Sequence, residues 1–84
     1  MNILLVEDNR SDAMLLKEFF SEKENTPEIH WVTDGHDALD YLYGQNQYAG
    51  AERPDVILLD LGLPRISGYD VLREVKKKPP YADI

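Results

Sequence analysis

Cysteine is absent from the 84-residue chain, which excludes disulfides, thiolate chemistry and zinc sites built on cysteine. Basic residues are few: nine Lys and Arg stand against 16 Asp and Glu, a formal net charge of −7. That sign opposes contact with phosphate backbones, so nucleic acid is not an expected direct partner. Long hydrophobic runs are missing as well. The opening MNILLVED carries only a short apolar stretch with no basic region before it, so neither a signal peptide nor a membrane span is expected. The chain reads as a soluble, cytoplasmic protein. Histidine is limited to His30, in a strand pattern, and His36, at a helix start. Neither has a partner at ligand spacing, and both read as surface or packing residues. No internal repeat and no low-complexity segment interrupts the pattern.

What is present is one small domain with a 43% hydrophobic composition. A chain of this length buries roughly 60–65% of its unfolded surface. Asn2 to Val6 is a continuous apolar strand ending in the polar stretch EDNRSD. Asn9 or Ser11 can then cap a helix running to about Glu22, with Ala13, Leu15, Leu16, Phe19 and Phe20 on a broad apolar face. Glu28 to Thr33 forms a second strand. Asp34 can cap a helix that contains Ala38, Leu39 and Leu42 and stops at Gly44. The stretch GQNQYAGAERP is a connecting loop, and Asp55 to Leu61 is the third strand. In SGYD, Ser67 and Asp70 form a capping box ahead of Val71, Leu72 and Val75, and Pro79 and Pro80 end that helix. Trp31 and the tyrosines read as packing residues. Lys76 to Lys78 suit a helix C-terminus, and Lys17 and Lys23 suit solvated faces.

The β-α-β-α-β-α pattern predicts an α/β fold with a parallel sheet, right-handed crossovers and helices on both faces. The most economical strand order is 2-1-3. Strand one is then central, the chain reverses direction across the sheet beside it, and ligands collect at the carboxyl ends of the strands there. Glu7 and Asp8 leave strand one at that edge, and Asp60 leaves strand three. An unpaired carboxylate inside an apolar strand is costly, so the place for Asp60 is the strand end, beside the other two acids. Their mutual repulsion calls for a hard cation. Mg²⁺ takes oxygen ligands in octahedral geometry, and the carbonyl of Gly62 is well placed to add to the carboxylates. A carboxylate beside such a metal can attack a phosphoryl group, so the chemistry suggested is formation of an aspartyl phosphate.

LLVEDN, then LLDLGLP about fifty residues later, then Gly68 four residues after Pro64, together resemble the receiver domain of two-component response regulators, the CheY-like fold. The resemblance implies Asp60 as phosphoacceptor, Glu7 and Asp8 as direct or water-mediated holders of Mg²⁺, and the Gly62 carbonyl completing the metal site. It implies a sensor histidine kinase as donor. The GQNQYAGAERP loop and the KKKPPYADI ending are most similar to single-domain regulators partnered to phytochrome-type kinases. It further implies that residues 1–84 are the N-terminal (βα)₃ part of a receiver, without the last two strands and helices and without an output domain. The hydroxyl residue, lysine and aromatic residue the family uses downstream to stabilise and signal the phosphoryl group have no counterpart here. Switching is therefore expected to be weak or absent.

In this arrangement the third strand is an edge with apolar side chains above and below, and residues 55–61 are expected to pair with a second copy in a homodimer. Two rival functions fail on single residues. A haloacid-dehalogenase-type phosphatase needs an acid two residues after its Asp, where Gly62 stands. A mononucleotide binder needs a phosphate loop where EDNRSD would repel phosphate. The alternative that stands is a non-catalytic, self-assembling half-receiver.

Overall fold

The computed structural model describes residues 1–21, 26–60, 62–63, 66–78 and 81–84. The elements run β1 (Asn2–Val6), α1 (Arg10–Ser21), β2 (Glu28–Val32), α2 (Gly35–Tyr43) and β3 (Val56–Leu59), then α3 (Gly68–Lys77), with short 3-10 turns at Asn46–Tyr48 and Tyr81–Asp83. The strands form one parallel sheet in the order β2-β1-β3. Ile3 lies beside Ile29 on one side and Val56 on the other, and Val6 beside Val32 and Leu59. Central placement of β1 explains its burial, because its four apolar side chains alternate between two covered faces.

Helices α2 and α3 cover one face. Leu4, Val6, Val32, Ala38, Leu42, Val71 and Val75 form the core between them and the sheet. The two helices approach closely at Gly35, where a Cβ would stand 2.8 Å from Val71 Cγ2 and 2.9 Å from the Ile66 carbonyl. Local chemistry sets their ends. The Asp34 carboxylate accepts the Asp37 N–H at 2.8 Å, and Gly44, at φ 64°, turns the chain out of α2 in the left-handed conformation. Ser67 and Asp70 form the expected capping box at α3.

Helix α1 lies on the opposite face, and here the structure departs from the pattern. Of the broad apolar stripe, Ala13 is buried, while Leu15 and Phe19 are 64% and 53% exposed. Among the described residues α1 is the only helix on that face, which leaves the outer half of its stripe largely exposed. Leu72, expected beside Val71 and Val75, is 44% exposed and lines an open cleft with Ile57, Leu59 and Ile84. The strands are also shorter than their apolar runs. β2 stops at Val32 rather than Thr33, and β3 spans 56–59 rather than 55–61. The Asp55 carboxylate instead accepts the Asn2 N–H at 2.8 Å, and Asp60 turns its side chain toward Gly62. α1 ends at Ser21; the expected stop at Glu22, Lys23 and the Pro79–Pro80 break lie outside the described residues.

Candidate functional site

The carboxyl ends of β1 and β3 bring the three acids together. Asp60 N–H donates to the Val6 carbonyl at 3.1 Å and Glu7 N–H to the Val32 carbonyl at 3.1 Å, so each acid is fixed at its strand's last ladder bond. One carboxylate oxygen from each of Glu7, Asp8 and Asp60 lies within 4.8 Å of the others. Glu7 and Asp60 are half-buried and Asp8 is exposed. The expected convergence of these residues is therefore present in the structure.

Glu7 and Asp60 are held by their neighbours. Asn9 N–H donates to Glu7 Oε1 at 3.1 Å, while Asn9 Oδ1 accepts the Asp12 N–H at 3.1 Å and so caps α1. Gly62 reaches the site through its N–H, which donates to Asp60 Oδ1 at 2.9 Å. Trp31 is a part of the site that composition and spacing did not reveal. Its indole N–H donates to the Glu7 carbonyl at 2.8 Å, pinning the backbone at the acidic corner. The signal available was its place one residue before the end of a strand adjacent to β1. Lys17, read as a solvated residue, has its ammonium 5.6 Å from the centre of the Trp31 ring.

Electrostatics at the corner favour a cation. Partial burial pushes the Glu7 carboxyl above its ordinary range; the Asn9 N–H opposes this, and the charges of Asp60, Asp12 and Asp8 add to it. Among the described residues no Lys or Arg pairs with Glu7, Asp8 or Asp60. Three hard oxygen donors with no counter-charge match the donor set of Mg²⁺ or Mn²⁺. Beneath them a cleft of about 320 Å³, lined by Leu5, Leu16, Leu58 and the acids Glu7 and Asp60, opens on the α1 side of the sheet.

The family profile described as "Response regulator receiver domain" matches residues 3–84. The chain belongs to the response regulator receiver family. It is 40% identical over 77 residues to Response regulator Rcp1 of Synechocystis, covering 92% of this chain and 52% of that protein. It is 44% identical over 75 residues to the probable methanogenesis regulatory protein FilR2 of Methanothrix harundinacea, covering 89% and 48%. The receiver chain thus spans about half the length of the curated relatives it matches. Two solved receivers superimpose closely. The phosphorylated cyanobacterial phytochrome response regulator RcpA has a TM-score of 0.91 at 43% identity, with 96% of this chain and 58% of that one covered. The Mn²⁺-bound form of Rcp1 has a TM-score of 0.92 at 38% identity, with the same coverage. Among the described residues, no helix of this receiver is long and apolar enough to cross a membrane.

Proposed function

We propose that this receiver is a phosphoacceptor in a two-component phosphorelay, taking a phosphoryl group from a phosphohistidine on a sensor kinase onto Asp60 in the presence of Mg²⁺. The observation that carries this reading is the approach of Glu7, Asp8 and Asp60 to within 4.8 Å of one another at the strand ends. Glu7, Asp8, Asp60 and the backbone carbonyl of Gly62 would hold the ion. When bound, it neutralises charge on the transferred phosphoryl oxygens.

The chain's own residues supply nucleophile and orientation. Asp60 Oδ1 is tied to the Gly62 N–H, and its other oxygen has no hydrogen-bond donor among the described residues. That second oxygen attacks phosphorus opposite the histidine nitrogen. The O–P bond forms as the N–P bond breaks, and the electron pair returns to the imidazole. Glu7, held by Asn9 and by the indole of Trp31, keeps its carboxylate facing the site throughout. Transfer of this kind is at most self-catalysed, and the protein is a signalling component rather than an enzyme with turnover.

Similarity to a cyanobacterial phytochrome response regulator supports a phytochrome-type histidine kinase as partner, and similarity to a Mn²⁺-bound regulator supports the divalent ion. One observation favours a second reading, a self-associating scaffold. β3 ends the described sheet, and beside it lies a cleft of about 330 Å³ lined by Ile57, Leu59, Leu72, Val75 and Ile84. A second copy pairing along β3 would cover both.

Intact-mass measurement after exposure to phosphoramidate and Mg²⁺ separates the two readings. A gain of one phosphoryl group that Asp60→Asn abolishes supports acceptance. A folded, associated protein of unchanged mass defeats it in favour of the scaffold, and a monomeric mass in dilute solution defeats the scaffold.

A further inference from the structure

On the far side of β2 from the acidic corner, a cleft of about 410 Å³ lies between that strand, α2 and the segment preceding β3. Its volume is in the range of ligand sites. Tyr41 and Tyr48 contribute rings with centroids 5.3 Å apart, and His30 stacks at 5.4 Å from Tyr41. Tyr41 is only 5% exposed, yet its hydroxyl has no hydrogen-bond partner among the described residues. The same is true of His30 Nε2, whose nearest acid oxygen, on Glu28, is 3.9 Å away and beyond hydrogen-bond reach. Both side chains line the cleft with these atoms closed off from solvent, and a buried polar atom left unpaired is costly, so turning onto an occupant that supplies the missing bonds would be favoured.

The charge around the cleft says which kind. Glu52 lines it, with Oε2 accepting from Asn2 Nδ2 at 2.7 Å, and burial, helped by the charges of Glu52 and Glu28, pushes the Tyr41 hydroxyl above its ordinary range. Aromatic faces and the Glu52 carboxylate, with no Lys or Arg in the lining, suit an ammonium or guanidinium.

The adjoining backbone says how it is presented. The Glu28 N–H and the Val32 carbonyl bond toward β1, so along a parallel strand residues 28, 30 and 32 face inward and the N–H and C=O of Ile29 and Trp31 face outward. No described strand pairs with that edge.

We propose that the outer edge of β2 binds an extended segment of a partner protein, which pairs with Ile29 and Trp31 and places a lysine or arginine side chain in the Tyr41–Tyr48 cleft. Peptide addition to a sheet edge takes affinity from main-chain bonds and specificity from such a side-chain pocket. The proposal is independent of phosphotransfer, since it uses none of Glu7, Asp8 or Asp60.

The test is amide-resolved NMR titration of the full chain with a capped Thr-Val-Lys-Val-Thr peptide, beside the same peptide with norleucine for lysine and beside n-butylammonium. Shifts confined to Ile29, Trp31, Tyr41, Tyr48 and Glu52 are expected, with the lysine peptide binding roughly tenfold tighter than its norleucine twin. Tyr41→Phe, which removes only the orphan hydroxyl, and Glu52→Gln should each abolish that preference while leaving the spectrum folded. Equal binding of the two peptides, shifts elsewhere or no binding would overturn the proposal. Butylammonium binding as tightly as the peptide would show a small-amine site and overturn the strand-edge assignment.

Discussion

Replacing Asp60 by Asn should stabilise the metal-free chain, although it destroys the proposed nucleophile. The three carboxylates repel at separations of at most 4.8 Å. With a water-like dielectric, appropriate to a corner where one acid is exposed and two are half-buried, each pair costs about 1 kcal/mol. The substitution removes two of the three pairs and keeps an oxygen that can accept the Gly62 N–H, so the expected gain is about 1–2 kcal/mol at low salt. For a domain this small that is an increase of roughly 5–10 °C in Tm. Saturating Mg²⁺ should reverse the ranking. Wild type gains stability by mass action, about 2.7 kcal/mol when the ion is at a hundred times its Kd, whereas the variant has lost a ligand and gains less. The assay is thermal and urea unfolding followed by circular dichroism, in EDTA and in MgCl₂, for both proteins. An Asp60→Asn variant no more stable than wild type in EDTA, together with equal Mg²⁺ responses, would refute the reasoning that the corner is an electrostatically strained cation site.

The direction of the Glu7 shift makes a separate forecast. Because its folded pKa lies above the ordinary 4.5, its effect on stability is most favourable below that value and is lost as pH rises through the folded pKa. Glu7→Gln should lack this loss, so paired unfolding curves in EDTA should diverge as pH rises above 4.5 and run parallel if the shift is not real. Trp31→Phe removes the donor to the Glu7 carbonyl and should cost about 1 kcal/mol, with weaker Mg²⁺ binding by calorimetry. An unchanged metal affinity would show that the indole only packs. Gly35→Ala drives a methyl group into Val71 and the Ile66 carbonyl and should cost about 1–3 kcal/mol. A neutral result by urea unfolding would mean that α2 and α3 separate easily.

Much of the fold was legible in the residues because it rests on local chemistry. The apolar runs of β1 and β3, the Asp34 cap, the Gly44 stop and the Ser67–Asp70 box are each decided within a few positions by hydrogen bonding or side-chain burial, and each appears in the structure, with β3 shortened to 56–59. Parallel connectivity then left 2-1-3 as the economical order, and that order alone carries Glu7, Asp8 and Asp60 to one edge. Other features depend on which surfaces meet, which no short stretch encodes. Leu15 and Phe19 share an apolar stripe with Ala13, but only a packed neighbour decides burial, and they stay 64% and 53% exposed while Ala13 is buried. Trp31 becomes a clamp on Glu7, and Tyr41 carries an unpaired hydroxyl beside His30, because of lateral strand contacts and helix placement. Periodicity and capping, both readable along the chain, were enough to specify the element order and to put acids at the strand ends. How near those acids stand, what holds them and which faces lie uncovered came only with the folded chain, because separations and burial are set by packing between segments distant in sequence.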